Sequence, residues 1–404
     1  MRILRIYIAV VACLLLYLTS NAQVRVVKSM SGISLLDLSG FKSLSPGAPS
    51  VFRRTLETDL IRSGWFNLIK MGRAEYTITG TSEQDGSHVL VKCEVYHIPT
   101  KKRYLGKTYK ISADEASKLA HRVADDIVLA LTGQPGMAST RIVMVGTRTG
   151  EKELYACDAD GQNLRQLTSD RTISAAPKWG PNGQKLVYTS YRSHFPDVYL
   201  INVKTGRRTC IADYAGLNAC PAISPNGREV ALTLSKGGNP DLFIKDLSSS
   251  RLTRLTFTKQ AAEASPSWSP DGKQIVYVSD MAGSPQLYII NRKHGKPERI
   301  TGCGSENVDP GWGSNGFIVY SSRVGRHYQI YVINPATLDI HQISKLDADY
   351  ENPSWAPDGR HIVCARTQQY KSQIFIIDTM SDSCINLLPD SKTGEWYSPD
   401  WSPK

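Results

Sequence analysis

The 404-residue sequence contains no G-x-S-x-G turn, no H-E-x-x-H pair and no G-x-x-x-x-G-K-[ST] loop. Those absences remove an elbow-borne serine nucleophile, a helical zinc centre and a Walker-type phosphate cradle. No C-x-x-C occurs among the 8 cysteines, which leaves out the usual redox and zinc-knuckle spacings. No run of five basic residues suggests nucleic acid; Lys101–Arg103 is only a short basic loop. The 8 histidines are scattered singly, a distribution typical of surface or structurally satisfied imidazoles. The chain thus offers no catalytic constellation, metal centre or cofactor fingerprint, and we expect a protein that is not an enzyme.

The apolar run Ile6–Leu18 covers 13 residues, short of the roughly 18 needed to span a bilayer. Arg2 and Arg5 precede it, and Ser20 and Ala22 follow, the layout of a secretory signal with cleavage expected after Ala22. Loss of Met1–Ala22 removes two arginines and lowers the formal charge from +11 to +9. A basic surface of that size admits acidic partners or anionic envelope polymers. Seven cysteines would remain, an odd number for an oxidising compartment. Cys210 and Cys220 are close enough in sequence for one bridge, and buried free thiols are expected for most of the others.

What the sequence does have is repetition. Pro177, Pro221, Pro266, Pro310, Pro353 and Pro399 recur at intervals of 44, 45, 44, 43 and 46 residues. Two positions after each stands Trp179, Ile223, Trp268, Trp312, Trp355 or Trp401. Four of the six anchors continue into "GPNG", "SPNG", "SPDG" and "APDG", where Asn-Gly and Asp-Gly permit tight hairpin turns. Alternating apolar stretches such as "KQIVYVS", "PQLYIIN" and "PERIT" follow. Four short strands per period of about 44 residues describe a propeller blade. The repeated tryptophan reads as a wedge between blades. Strands from "RIVMVGT" onward lack an anchor, and the final "YSPDWSPK" is an anchor lacking strands. Together they complete one blade, so a six-bladed ring over 141–404 closes by pairing the chain ends. "DADGQN" at Asp158–Asn163 has a faint likeness to a calcium loop but lacks the closing glutamate, and a hairpin turn is expected there.

Residues 23–134 do not repeat and precede a linker at 135–140. Phe52, Leu56 and Leu60 predict an amphipathic helix over Val51–Ser63 with Gly64 as its stop. Leu119, Val123, Ile127 and Leu131 predict a second helix, opened by a capping box at Ser112 and Glu115 and closed by Gly133. "WFNLI", "EYTITG", "SHVLVKCEVYHI" and "RYLGKTYKIS" predict strands. The fold class is therefore an α+β N-terminal domain followed by an all-β propeller.

Glu263, Glu306, Asp309, Asp349, Glu351 and Glu395 all lie just before an anchor tryptophan. The loops entering those strands share one face around the channel mouth, with Arg323, Arg326 and His327 expected on the same face. A mixed-charge rim suits a protein or peptide partner. Reversing Glu263 and Glu306 together is expected to weaken binding without unfolding the ring.

The export signal, the small α/β domain and the six blades resemble the TolB family, periplasmic components of the Tol–Pal envelope system. "VRVVKS", "TDLIRSGWFNLI", "LTGQPGMASTRIVMV" and "LSKGGNPDLFIKDL" are the more specific stretches, and the likeness covers the whole mature chain. It implies a non-enzymatic periplasmic adaptor without cofactor, supporting outer-membrane integrity and constriction at division. A peptidoglycan-associated lipoprotein, Pal, would bind at the channel mouth through Asn218, Glu263, Glu306, Asp309, Glu351 and Glu395. TolA would engage Val24, Arg25, Val26, Val27 and Lys28. Other outer-membrane proteins or peptidoglycan are further partners, and a glycan-binding or hydrolytic propeller is the alternative. Better-known members carry His-Asn before the second anchor and Thr-Glu before the third. Here those places hold Leu217-Asn218 and Ala264-Ser265, so only Asn218 carries over.

Overall fold

In the computed structural model, the described residues are 33–404 apart from Met71, His294, Cys303 and 390–393. The expected signal and the Val24–Lys28 segment lie outside them. None of the described helices is long and apolar enough to cross a membrane.

The N-terminal part builds one mixed sheet from β1 (Ser34–Asp37), β2 (Phe41–Ser43), β3 (Phe66–Leu68), β4 (Tyr76–Asp85), β5 (His88–His97) and β6 (Arg103–Ser112). Its order is β3-β1-β4-β5-β6, with β2 also on β4. Helices α1 (Ala48–Arg62) and α2 (Ala116–Thr132) cover one face. Phe52, Leu56 and Leu60 of α1, and Leu119, Val123 and Ile127 of α2, are buried in a single apolar core with Leu36, Ile78 and Val91. Helix α1 starts earlier than the apolar spacing predicts. Gly47 takes a positive φ of 80° and Pro49 follows in the first turn, where a missing N–H costs nothing. The capping box does not form. Ser112 caps a 3₁₀ turn at Ala113–Glu115, its side chain makes no capping bond, and α2 begins only at Ala116.

The remainder is six four-stranded antiparallel sheets. Counting blades from the first anchor, the inner strands are Ser174–Trp179, Asn218–Ile223, Glu263–Trp268, Asn307–Trp312, Asp349–Trp355 and Trp396–Trp401. The sixth blade pairs Trp396–Trp401 with Arg141–Gly146, so the chain ends close the ring. Every second strand of a blade is buried on both faces and reads as a nearly continuous apolar run, such as Ile275–Val278. Six apolar clusters, one for each pair of neighbouring blades, hold the ring together.

The anchors act as wedges. Trp179 Nε1 donates to Asp400 O at 3.1 Å and Trp268 Nε1 to Ala222 O at 3.0 Å, each reaching into the preceding blade. Backbone seams follow the same logic. Asp400 Oδ2, Ser267 Oγ and Ser354 Oγ accept the N–H of Trp179, Trp312 and Trp401 at 2.8, 3.0 and 3.1 Å. Trp312 departs from the pattern, donating instead to Gly316 O of its own turn.

Each inner strand also carries a bulge immediately before its proline. Ala176, Cys220, Ser265, Asp309, Asn352 and Ser398 have φ between 42° and 53°, and the strand register shifts at each place. An L-residue there costs about 1 kcal/mol or more, offset by the packing around it. The bulge turns these six side chains into the channel, where they line a constriction of about 70 Å³ with the six prolines. Cys220 is thus a channel residue, whereas Cys210 lies exposed on the outermost strand of the first blade. That separation of inner from outer strand explains why both thiols are free and the suggested bridge does not form.

The two parts of the chain meet at the hairpin face of blades five and six. Arg360 Nη2 donates to Gly64 O at 2.8 Å, its guanidinium pairs with Asp378 through two bonds of 2.6 and 2.8 Å, and its plane lies 4.4 Å over Trp65. Lys404 Nζ sits 3.1 Å from Asp125 Oδ2 of α2.

Candidate partner-binding rim

Strand direction divides the loops between two faces. Inner strands run from the rim down to the Pro-x-Gly hairpins, so connections from second to third strand, and from outer strand to the next blade, all lie at the rim. The hairpins lie opposite, where the other channel end is a cavity of about 370 Å³ lined by Trp179, Trp268, Trp312, Trp355 and Trp401.

The acidic residues expected at the rim separate into three groups. Glu306 and Glu395 are half-buried at its surface. Glu306 accepts from Arg323 Nη1 at 3.2 Å and from the Tyr328 hydroxyl, while Glu395 accepts from the Tyr397 hydroxyl. Burial, then the carboxylate partner, pushes the phenols of Tyr328 and Tyr397 up to about 12, which keeps both as donors. Asp309 instead lines the channel constriction, and Glu351 lies within its electrostatic reach. Burial raises both carboxyls, with Asp309 adding to the effect on Glu351.

Asn218 and Glu263 have no exposed surface, so neither can touch a partner. Asn218 Nδ2 donates to Tyr214 O and Pro196 O at 2.7 and 3.1 Å, tying two loops together from below. Glu263 accepts from the hydroxyls of Thr258 and Ser279 at 3.1 and 3.2 Å, beside Asp241. Reversing Glu263 would bury an unpaired cation, which unfolds rather than tests the rim.

Beneath the rim runs a clasp that the spacing of anchors did not reveal. Thr168, Thr256, Thr301 and Ser344 lie two residues past the ends of four outer strands, and each hydroxyl accepts a third-strand N–H at 2.8 to 3.0 Å. The same hydroxyls face Glu153, Asp241, Gln286 and Gln329. The doublets "LT", "LT", "IT" and "IS" that follow those strands are its trace in the sequence. At the seam of the second and third blades the clasp holds two carboxylates, Asp241 and Glu263, with Arg254 2.5 Å from Asp241. Burial, then Asp241, pushes Glu263 up to about 7. A folded pKa above the ordinary carboxylate value makes the protonated acid the stabilising form. Its contribution is full below about 4.5 and lost as pH rises through about 7. The difference in unfolding free energy between wild type and Glu263→Gln is therefore expected to move by about 2 kcal/mol between about pH 5 and 7.5, in favour of the variant at the higher pH. Urea titrations at the two pH values measure this; parallel stabilities would show that Glu263 is not held protonated.

The rim's most exposed side chains are apolar. Nine large apolar residues of the described propeller are exposed, and seven belong to rim loops: Ile173, Phe195, Phe257, Met281, Val324, Leu346 and Tyr370. Tyr370 is 97% exposed, Phe257 72% and Phe195 71%. They stand singly within polar loops, as in "SHFPD", "TFTKQ" and "QQYKS", and that isolation was the available signal. Basic groups accompany them, with Arg254 4.9 Å from the Phe257 ring and Lys236 4.5 Å from that of Tyr214. His327 completes the expected charged group, 2.9 Å from Asp347 and 3.3 Å from Asp349. Among the described residues, no three metal-ligating side chains converge at the rim.

A family profile described as the TolB beta propeller domain matches residues 128–404. "Tol-Pal system protein TolB" of Desulfosudis oleivorans is 35% identical over 136 residues, covering 34% of this chain and 31% of that protein. The protein of the same name from Albidiferax ferrireducens is 31% identical over 234 residues, covering 52% and 55%. The chain thus aligns to between about a third and about half of the length of these relatives. The crystal structure of TolB from Acinetobacter baumannii superposes with a TM-score of 0.82 at 27% identity, across 92% of this chain and 97% of that one. With the profile spanning more than half of its length, the chain belongs to the TolB family.

Proposed function

We propose that the chain is a non-enzymatic periplasmic adaptor of the Tol–Pal system. Its rim would hold a peptidoglycan-associated lipoprotein, and Val24–Lys28 would engage TolA. The observation that carries the reading is the gathering of exposed apolar side chains around one channel mouth. Isolated apolar residues are ordinary on a surface, and the gathering of seven on one face supports a docking role for it. Its relatives in the Tol–Pal system support that assignment. In this role the protein would support outer-membrane integrity and constriction at division.

The test is binding of purified peptidoglycan-associated lipoprotein to the mature protein and to a Phe257→Asp/Tyr370→Asp variant. Aromatic anchors at an interface centre commonly carry 2 kcal/mol or more, so affinity is expected to fall by roughly 30-fold or more. Both side chains are exposed, so the melting temperature should not move. Equal affinity would remove the rim from the interface. Retention on purified peptidoglycan with the lipoprotein absent would instead favour a wall-binding propeller.

A further inference from the structure

The seam between the α/β domain and blade six encloses a polar cluster that the rim does not use. His121 of α2 is 3% exposed. Its Nδ1 lies 2.7 Å from Asp59 Oδ2 of α1. Its Nε2 is buried and has no hydrogen-bond partner among the described residues. That nitrogen faces Asp158 Oδ2 at 3.9 Å and Asp160 Oδ2 at 4.0 Å, both in the hairpin between the third and outer strands of blade six. Asp160 uses Oδ1 to accept from Gln162 N at 2.9 Å, which shapes the turn and leaves Oδ2 directed at the imidazole. Asp158 Oδ2 also accepts from Asn163 Nδ2 at 2.6 Å.

We propose that His121 Nε2, Asp160 Oδ2 and Asp158 Oδ2 form a divalent transition-metal site of Zn²⁺ type, with Asp59 orienting the imidazole from behind. A buried imidazole nitrogen without a partner is an uncompensated polar atom, and a ligand is what it lacks. A carboxylate on Nδ1 fixes the tautomer that leaves Nε2 its lone pair, the usual support of a metal-bound histidine. Bonds of about 2.0–2.1 Å to nitrogen and oxygen put tetrahedral ligands about 3.4 Å apart, so the gaps from Nε2 to Asp158 and to Asp160 each need to close by about half an ångström. Rotation of the aspartate side chains on a hairpin provides that movement. Three carboxylates, Asp59, Asp158 and Asp160, face one imidazole, with Arg62 one turn along α1 from Asp59 and Arg141 within electrostatic reach of Asp158. The surplus of negative charge favours a cation. An imidazole donor selects a borderline ion such as Zn²⁺, since Ca²⁺ takes six to eight oxygens. Such an ion would join the two parts of the chain through ligands from each.

The experiment uses the mature protein stripped with chelator, in a Cys210→Ser/Cys384→Ser background that removes the two thiols exposed among the described residues. Zn²⁺ is added, and metal retained after gel filtration is counted by mass spectrometry beside a thermal melt. One equivalent of Zn²⁺ and a raised melting temperature are expected. D160N, on the hairpin, should fold normally and lose affinity by at least about 10-fold. D59N should weaken binding by about 10- to 100-fold, the usual effect of removing a support behind a ligand. Absence of retained Zn²⁺, or retention unaffected by D160N, would overturn the site and leave a protonated imidazole between carboxylates as the occupant of the seam.

Discussion

A chain ending at Glu395 is expected to lose the cooperative unfolding of the propeller. Residues Trp396–Trp401 form the channel-lining strand of the sixth blade, and their pairing with Arg141–Gly146 is what closes the ring. Without them Arg141–Gly146 becomes a bare edge, and the seam between the sixth and first blades loses Asp400, which accepts from Trp179 N and Lys178 Nζ. Trp396 and Trp401, 1% and 4% exposed, would leave the apolar cluster shared with blade five. Truncating a buried tryptophan costs about 3–5 kcal/mol. Losing two comes close to the total stability of about 5–15 kcal/mol typical of a domain. Calorimetry of the truncated protein should show a broad transition or none, with aggregation. A single sharp transition at the original temperature would mean that the ring does not depend on its closing strand.

Replacement of Trp268 by alanine is expected to destabilise the propeller by about 3–5 kcal/mol. Its indole is 6% exposed, packs among Ala222, Ile275 and Tyr277, and donates across the seam to Ala222 O. Truncation leaves both a cavity and an unpaired carbonyl. Trp312→Ala provides the contrast, because Trp312 is half-buried and donates only to Gly316 O of its own turn. It should cost about half as much or less. Urea midpoints with unchanged slopes would report the two values directly. Equal losses would show that both tryptophans serve the packing alone and that the bond across the seam adds nothing.

The propeller was legible because its rules are local and repeated. A proline, a tryptophan two positions on and a glycine turn fix strand, wedge and hairpin, and their spacing fixes the blade. The unmatched ends then required closure. The rim was legible only as a face. Glu263 and Glu306 look alike in sequence, yet Glu263 begins an inner strand, where it is sealed beneath the loops, while Glu306 precedes one and meets solvent. One residue of register decides exposure, and charge pattern carries no register. The capping box failed for a similar reason: Ser112 and Glu115 have the spacing, but the chain leaves β6 directly into a 3₁₀ turn. The seam cluster was divided among three distant segments, Asp59, His121 and Asp158–Asp160, and no single stretch announces it.

The α/β domain sits against the hairpin face, through Gly64 on Arg360 and Asp125 on Lys404, while the exposed aromatic side chains point the other way. A molecule seated on the rim and one grasped near the α/β domain would not exclude each other by collision. Simultaneous occupancy is geometrically open, and a tethered partner on either side would raise the local concentration of the other. Any antagonism between two such guests would have to be transmitted through the body of blades five and six, by a change in how the α/β domain rests on them.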